Sequence, residues 1–499
     1  MRPAVAWALV LALAVAQAQP DAPPAGAATD NPFDYPETII RAEDEEGMVR
    51  PANFVEPGMP VRLIVRFHRG VKMDDAVQRL MVAPASQLVS AASVPDPAIP
   101  AASTIGGLPG AREVRRLRGV VRGVLVELPG GIDRADAIAA LKAMPDVKDV
   151  EAEGRVTVQI AKVASIGGDV EVQPGLLRTG LARPSDGGGL LVEPNADAEA
   201  RSVVVAVVDT GVDRTHPDLN VVGGVDFTND NDYGLDGNGH GTHVAGIIGA
   251  KNDGIGSVGA VPGAPIWSLK VLSAAGQGTT TDVVEALNWV ADNGRDKGVR
   301  VVNLSLSGPR SRMMCDAVRA VVARGITVVA AAGNNGLEIG SGSPSDCIHA
   351  LVVTAIADYD GKPGGLRQPP PGPGAPTTRD DAPAGFSNYA AARSTRVVAA
   401  PGVHILSTVP PARCAALRCT RAGSYAYLSG TSMAAPLVSG MAALCYNTGS
   451  CDSPRATAAP TLYDAFYAAN REDRGYGFVG DPANPLPGKH YGYLAASAF

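Results

Sequence analysis

Continuous apolar segments that alternate with helix-like segments constrain the fold of this chain more than any other feature. The first is "SVVVAVVD" at 202–209, and four more follow it: "PIWSLKVL", "RVVNLSLS", "ITVVAAAG" and "ALVVTAIA". The segments between them have helical character: "GTHVAGIIGA", "TTDVVEALNWVADNG" and "RMMCDAVRAVVARG". Unbroken apolar runs are typical of parallel strands covered on both faces, and their alternation with helices indicates βαβ units. Residues 201–499 are therefore predicted to form an α/β domain with a doubly wound, mostly parallel sheet.

A smaller unit is predicted ahead of that domain, at residues 61–160. Its strand-like and helix-like segments follow the order β-α-β-α-β: "VRLIVRFH", "MDDAVQRLM", "GVLVELP", "RADAIAALKAMPDV" and "VKDVEAEGRVTV". About 100 residues are enough for an independent α+β domain. Residues 161–200 are rich in Gly and Pro and are predicted to be a linker or processing region. Residues 19–60 are predicted to be a flexible lead-in.

The first 18 residues have the pattern of a secretory signal peptide. Arg2 precedes an apolar run at 4–16, and "AQA" at 16–18 has the small residues of a cleavage site. The run is short for a membrane-spanning helix, although an uncleaved anchor is the alternative. We therefore expect a secreted or periplasmic protein.

Export makes disulfides plausible, and all six cysteines lie in the last two-fifths of the chain. Two pairs are suggested by short separation, Cys414–Cys419 and Cys445–Cys451, which leaves Cys315 with Cys347. Many other pairings are open to six cysteines. The net charge of −7 argues against nucleic acid as a partner.

Four polar residues stand at the positions where such a sheet places functional groups. Asp209 ends the first of the apolar segments, Asn334 follows the fourth, and His240 and Ser432 stand at the starts of helix-like segments. Because the strands of a doubly wound sheet present functional residues at their carboxyl ends, we expect these four to converge.

Ser432 has the surroundings that a nucleophile needs. Gly430 and Ala434 leave room for close approach, and the backbone N–H groups at a helix start can stabilise an oxyanion. A serine also needs a base and a group that orients the base; His240 and Asp209 suit these two roles, and Asn334 offers a second oxyanion donor. Singly, each residue is more often a cap or a structural group, but together they fill every role in acyl transfer.

A metal site at His240 and His243 is the alternative use of these histidines. Residues three apart share a helix face, but the zinc-protease pattern HExxH requires a glutamate that is absent here. We therefore predict no metal ligand, and expect His243 to pack behind the site.

These segments resemble the subtilisin-like serine proteases, or subtilases. The matching motifs are "VVDTGVD", "HGTHVAG", "AAAGNN" and "GTSMAAP", and their order Asp, His, Ser is that of subtilisin. The resemblance implies that Ser432 is the nucleophile, His240 the base, Asp209 its orienting carboxylate, and Asn334 an oxyanion donor. It also implies that 61–160 is an inhibitor-like propeptide removed by autoprocessing, with the cut somewhere in 155–200.

The resemblance further implies a substrate-binding strand at "NLSLSGP" (303–309). The residues expected to contact an extended peptide are Ser305, Leu306, Ser307, Gly308 and Gly333. Ser307 replaces a glycine found in many members, so no side-chain preference is predicted. No cofactor is expected for the chemistry. The Asp-rich stretch "DFTNDNDYGLDG" (226–237) is either a solvated loop or a structural calcium site, and its spacing matches no EF-hand loop.

The sequence therefore predicts a secreted serine endopeptidase that acts on proteins or peptides and is made as a zymogen. Two other classes of function stay open. A protease scaffold can serve as a non-catalytic binding protein, although such proteins typically lose one of the chemical residues. The same triad can also hydrolyse esters or other amides.

Overall fold

The computed structural model describes residues 60–82, 111–158, 173–184, 203–228, 235–371, 376–420, 423–451, 457–472 and 476–497, together with residue 160 and short strands at 41–43, 49–51, 104–105, 108–109, 162–164 and 190–192. The predicted signal peptide, most of the predicted lead-in and residues 229–234 lie outside these ranges.

A nine-stranded sheet forms the centre of the larger unit, and eight of its strands are parallel. In sheet order these eight are Asn220–Asp226, Pro265–Lys270, Val204–Asp209, Val299–Leu304, Thr327–Ala331, Leu351–Ala357, Val397–Pro401 and Tyr493–Leu494. The short ninth strand, Ala382–Pro383, is antiparallel to Leu351–Ala357. Every residue of Val204–Asp209 and Leu351–Ala357 is buried, as continuous apolar strands require. The predicted α/β fold is confirmed.

Helices cover both faces of this sheet, and each face has its own apolar core. One core contains Val244 and Val438, from two helices that carry predicted site residues, and the other contains Leu287 and Val318. The longer helices are His240–Gly249, Thr280–Asn293, Arg312–Val322, Thr431–Asn447 and Ala459–Glu472. Shorter helical segments are Pro174–Arg178, Arg295–Lys297, Pro411–Arg413 and Cys414–Leu417.

The smaller unit contains a four-stranded antiparallel sheet and two helices. Its strands, in sheet order, are Arg112–Arg118, Arg122–Leu128, Val61–Phe67 and Val147–Ala152. The helices Met73–Val82 and Arg134–Lys142 enclose a core with the sheet that includes Leu63, Val65 and Leu141. The strand at 112–118 was missed in the sequence because its arginines hide the alternation; Arg112, for example, is ion-paired with Glu127.

The opposite face of that small sheet packs on two helices of the larger unit. Ile64, Leu117 and Leu125 belong to the same apolar core as Leu287 and Met313. This face is therefore buried against Thr280–Asn293 and Arg312–Val322.

A segment within the predicted linker also packs on the larger unit. Leu176 and Leu181 join its core, and the buried Arg178 is ion-paired with Asp358 and Asp381. The segment 173–184 therefore packs as part of the core of the larger unit.

Short strands and disulfides complete the architecture. One three-stranded sheet combines 155–158 with Gln277–Thr279 and Leu306–Ser307. A second combines 162–164 with Tyr425–Ser429 and Ile405–Thr408. The remaining strands form three hairpins: Arg41–Glu43 with Val49–Pro51, Thr104–Ile105 with Leu108–Pro109, and Ala182–Pro184 with Leu190–Val192. The disulfides are Cys414–Cys419 and Cys445–Cys451, the two pairs suggested by short separation, and Cys315–Cys347, the pair that these leave.

Candidate active site

Asp209 ends a fully buried strand beside the start of the helix that carries His240. Its Oδ1 lies 2.7 Å from His240 Nδ1, and both side chains are fully buried. A carboxylate can only accept here, so His240 Nδ1 carries the proton and donates it to Asp209. The same oxygen accepts from the Thr210 N–H at 2.7 Å. The aspartate thus fixes one tautomer of the imidazole and leaves Nε2 as the proton acceptor.

Glycines allow the strand and the helix to approach this closely. A Cβ on Gly241 would lie 2.0 Å from the Gly211 carbonyl oxygen and 3.1 Å from Asp209 Cβ. Gly239 has a φ of +102°, a left-handed conformation that L side chains rarely adopt. The Gly-flanked histidine is therefore a consequence of the close contact between strand and helix.

Ser432 is the second residue of the helix Thr431–Asn447, where backbone N–H groups have no acceptor within the helix. Its hydroxyl donates to the carbonyl oxygen of Ser305 at 2.9 Å. His240 Nε2 is buried and has no hydrogen-bond partner within the described part of the chain. Ser432 and His240 are therefore not hydrogen-bonded to each other in this structure, and the hydroxyl must leave Ser305 before it can donate to the imidazole.

Pro436 explains a second contact between Ser305 and Ser432. Proline has no N–H, so the carbonyl of Ser432, four residues earlier, lacks its helical donor. The Ser305 hydroxyl donates to that carbonyl at 3.0 Å. Asn303 Nδ2 in turn donates to Ser305 Oγ at 2.9 Å, and Ser439 donates to Asn303 Oδ1 at 2.9 Å. A buried polar chain therefore ties the start of the serine helix to the neighbouring strand.

Asn334 is oriented by Thr431, the residue before Ser432. The backbone N–H and the hydroxyl of Thr431 both donate to Asn334 Oδ1 at 2.9 Å. Thr431 Oγ1 also accepts from the Gly333 N–H at 3.1 Å. Because both bonds use the amide oxygen, the Nδ2 group of Asn334 is directed away from Thr431.

An extended segment of the chain's own N-terminal part lies in the adjacent cleft. Residues 155–158 form the middle strand between Gln277–Thr279 and Leu306–Ser307, antiparallel to both. The Val158 N–H also donates to the Gly276 carbonyl at 3.1 Å. Residues 162–164 then pair with 427–429, immediately before the serine helix. The strands Gln277–Thr279 and Leu306–Ser307 thus hold the backbone on the N-terminal side of the segment between Val158 and Lys162. The strand Tyr425–Ser429 holds it on the C-terminal side.

The five predicted substrate-binding residues have different surroundings. Leu306 and Ser307 pair with the 155–158 strand, and Ser305 contacts Ser432 as described. Gly308 exchanges its backbone bonds with Ser343, but a Cβ on it would lie 2.9 Å from Val156 Cγ2. Gly333 donates to Thr431 Oγ1 and accepts from the Asn388 N–H.

His243 lies behind the site and faces two carbonyl oxygens. Its Nε2 is 3.1 Å from the Ile405 oxygen and 2.9 Å from the Ala426 oxygen. Burial lowers the pKa of His243 to about 3, so the ring is neutral at physiological pH. It acts as a neutral structural donor.

The Asp-rich stretch 226–237 does not fit a calcium site in its described part. The two carboxylate oxygens of Asp236 accept hydrogen bonds from Thr210, Asn238, Gly239 and Thr242. Both oxygens are therefore already used by protein donors rather than directed at an ion. Elsewhere, carboxylate oxygens of Asp358, Asp360 and Asp380 lie within 4.8 Å of one another. Oxygen ligands suit Ca²⁺, but these aspartates also accept backbone hydrogen bonds, so a calcium site stays a prediction.

Sequence reasoning missed three contributors to the site. Thr431 orients Asn334, Asp236 binds the turn before His240, and Gln277–Thr279 forms one wall of the cleft. The last has a signal in the sequence: "GQG" at 276–278 follows a predicted strand, where glycines permit close approach of another backbone.

The fold and this arrangement define a serine hydrolase with a strand-lined peptide cleft. The sequence model of the subtilase family matches residues 200–479. The chain belongs to that family and is a subtilisin-like serine endopeptidase, so its substrates are proteins or peptides.

Curated relatives support the same assignment. Subtilisin Savinase of Lederbergia lenta is 39% identical over 252 residues, which are 50% of this chain and 78% of that protein. The M-protease of Shouchella clausii is also 39% identical over 252 residues, but the match covers only 55% of its length. Among solved structures, a cold-adapted subtilisin-like serine proteinase aligns with 26% identity and a TM-score of 0.47, over 66% of this chain and 99% of that one.

Within the described ranges, no helix is long and apolar enough to cross a membrane.

Proposed function

We propose that this protein is an exported endopeptidase, made as a zymogen, in which Asp209, His240 and Ser432 form the catalytic triad. The observation that carries the proposal is the 2.7 Å contact between Asp209 Oδ1 and His240 Nδ1. In the reaction, Ser432 Oγ attacks the peptide carbonyl while His240 Nε2 takes the hydroxyl proton. His240 then gives that proton to the leaving amine, and Asp209 stabilises the imidazolium formed in between. Water, deprotonated by His240, then hydrolyses the acyl-Ser432 ester, which releases the new carboxyl end and restores the Ser432 hydroxyl.

Two donors bind the negative charge that develops on the carbonyl oxygen. One is the Ser432 N–H at the start of its helix, and the other is Asn334 Nδ2. Asp209, His240 and Ser432 supply the nucleophile and proton transfer, so the chemistry requires no cofactor. The cleft walls Gln277–Thr279 and Leu306–Ser307 bind substrate through main-chain bonds, which favours peptides over small esters.

The smaller unit acts as the propeptide, and its contacts suit that role. Glu151, half-buried, accepts from Ser311 Oγ at 2.8 Å and from the Met313 N–H at 3.1 Å, at the start of the helix Arg312–Val322. Asn288 and Val121 exchange two hydrogen bonds, of 2.9 and 3.0 Å. A carboxylate at a helix start and matched polar pairs give a specific interface.

Autoprocessing cuts the chain between Val158 and Lys162. The proposal is supported by the strands on both sides of this segment, which pair with Leu306–Ser307 and with Tyr425–Ser429, the strand that precedes the serine helix. Gly430 alone separates the strand Tyr425–Ser429 from the serine helix, which begins at Thr431. The catalytic domain then begins ahead of the docked segment 173–184. Export follows from the predicted signal peptide and agrees with three disulfides.

Purified wild type and Ser432→Ala test the catalytic proposal. Wild type should hydrolyse an internally quenched peptide with the sequence of residues 155–164, and a serine-directed reagent should abolish the activity. Equal activity of Ser432→Ala would contradict the assignment. Thermal melting of both proteins controls for folding.

N-terminal sequencing and intact mass test the processing site. Active wild type, or its first intermediate, should begin at a residue from 159 to 162. Ser432→Ala should keep the N-terminal unit covalently attached. A mature chain that begins elsewhere, with no product ending or starting in that segment, would contradict this cut.

A further inference from the structure

The hairpin between the strands Ile405–Thr408 and Tyr425–Ser429 carries a tip, residues 410–420, closed by the disulfide Cys414–Cys419. Hydrogen bonds from Val409 N to Ser424 O and from Thr420 N to Tyr425 O, both 2.8 Å, close the base of this disulfide tip. The tip does not belong to the parallel sheet or to the cleft walls described above.

The first strand of the hairpin, Ile405–Thr408, binds the helix of His240. Thr408 Oγ1 donates to the Thr242 carbonyl at 2.8 Å, and Ser407 Oγ donates to the His243 carbonyl at 2.7 Å. A Cβ on Gly246 would lie 2.3 Å from both hydroxyl oxygens, so the helix is seated closely on the hairpin. The body of the hairpin therefore fixes the position of the helix.

The disulfide tip extends the hairpin to the turn that precedes His240. Arg413 Nε donates to the Asn238 carbonyl at 3.1 Å. A Cβ on Gly239 would lie 2.6 Å from Leu417 Cδ1 and 3.6 Å from Arg413 Cβ. Leu417 is only 8% exposed, although much of the rest of the tip faces solvent. One polar and one apolar contact from the tip thus meet the two residues immediately before His240.

The turn itself transmits these contacts to the histidine. Asn238 Oδ1 accepts from the His240 N–H at 3.3 Å, and Asn238 Nδ2 donates to the Ala274 carbonyl at 3.0 Å. The carboxylate of Asp236 accepts from the N–H groups of Asn238 and Gly239 at 3.0 and 2.7 Å. Asp236 and Ala274 thus hold the same glycine-rich turn that the tip contacts.

We propose that the disulfide tip is a positioning element for His240, acting through Arg413 and Leu417 on the turn Asp236–Gly239. The inference rests on the proposed role of His240 as the base. The tip holds the imidazole where Nε2 can receive the Ser432 proton. Arg413 is bonded to the turn and not to the strands Gln277–Thr279 and Leu306–Ser307, so its loss should lower kcat and leave KM unchanged.

The test compares Arg413→Met, Arg413→Lys and Arg418→Met in the mature enzyme. Methionine keeps the apolar length of Arg413 without its donor, and lysine restores a donor. Arg418 is an exposed arginine of the same tip and serves as the matched control. The probe is the internally quenched peptide of residues 155–164, and a serine-directed reagent counts active sites.

Arg413→Met should lower kcat about tenfold with little change in KM, because small displacements of a catalytic group are costly. Arg413→Lys should recover most of the loss, and Arg418→Met should match wild type. Equal kcat for Arg413→Met and Arg418→Met would overturn the inference. A raised KM with unchanged kcat would also overturn it, because the tip would then be a substrate-binding wall.

A second variant keeps the test decisive if Arg413→Met does not fold. Leu417→Ala removes the apolar contact with Gly239 while the disulfide and Arg413 remain. Leu417→Ala should also lower kcat with little change in KM. Its melting temperature would show that the variant is folded. A kcat equal to that of wild type would overturn the inference. Failure of the proposed function has a different signature, because wild type and Ser432→Ala would then hydrolyse the probe equally.

Discussion

Asp209 Oδ1 lies 2.7 Å from His240 Nδ1, and both side chains are fully inaccessible to solvent. The other oxygen of the carboxylate is buried and has no hydrogen-bond partner among the described residues. Burial of an ionised group with few partners is costly, unless a cation forms beside it. The pair therefore suits the imidazolium that the proposed reaction would form.

Asp209→Asn tests this electrostatic role directly. The amide is nearly the same size but can present an N–H to the imidazole, which favours the wrong tautomer and cannot stabilise its cation. We expect kcat to fall by about 10⁴-fold at neutral pH, the loss typical of this substitution in a catalytic triad. Steady-state kinetics with active-site titration would measure it.

Asp213→Asn is the matched control, since Asp213 is also a buried aspartate but accepts from Thr215 rather than from His240. It should retain wild-type kcat. If Asp209→Asn were as active as this control, the role of Asp209 would have to be abandoned.

Asn334→Leu removes the proposed side-chain oxyanion donor with little change in volume. The loss should appear in kcat, at about 10²–10³-fold, because the donor acts on charge that is absent from the ground state; this magnitude is the known one for subtilisin. Asn335→Leu changes the exposed neighbouring asparagine and should have no such effect. A loss confined to KM would indicate that Asn334 binds substrate without stabilising the oxyanion.

The proposed catalytic residues each occupy a position with a local signal in the sequence. Asp209 ends an unbroken apolar strand, and His240 and Ser432 stand beside glycines at helix starts, so topology brings them to one edge of the sheet. Contacts that depend on distant parts of the chain had no such signal. Arg413 and Asn238 are 175 positions apart, and neither belongs to a periodic pattern.

The assignment of 161–200 to a linker shows the same limit. Gly and Pro in that region suggested irregular structure, yet Arg178 is buried between Asp358 and Asp381, about 200 positions later. The bond from Ser305 to the Ser432 carbonyl follows from Pro436, but only the folded structure brings a donor to that oxygen. Local patterns predicted the elements and the chemistry, whereas tertiary partners required coordinates.

The three disulfides should contribute unequally to stability. Loop-closure entropy grows with the number of residues enclosed, and Cys315–Cys347 spans 32 positions whereas Cys445–Cys451 spans 6. Replacing both cysteines of a pair by alanine should lower the free energy of unfolding by about 3–4 kcal/mol for the first pair and about 2 kcal/mol for the second. Denaturant unfolding of the Ser432→Ala background avoids self-digestion. The opposite ranking would show that native-state strain, rather than loop entropy, dominates.

Asp218 should make stability depend on pH, because burial raises its pKa to about 7 from a normal value near 3.8. Its oxygens accept from the Lys251 N–H and from the Tyr425 hydroxyl. Between these two pKa values the folded chain holds a proton that the unfolded chain has lost, so stability falls as pH rises from about 4 to about 7.

Asp218→Asn, which cannot ionise, should therefore gain melting temperature over the wild type as pH rises through this window. Melting curves of both proteins at pH 4.5, 6 and 8 in the Ser432→Ala background would measure it, with Asp296→Asn as an exposed control. A difference between Asp218→Asn and wild type that stayed constant across the three pH values would show that Asp218 ionises normally in the folded protein.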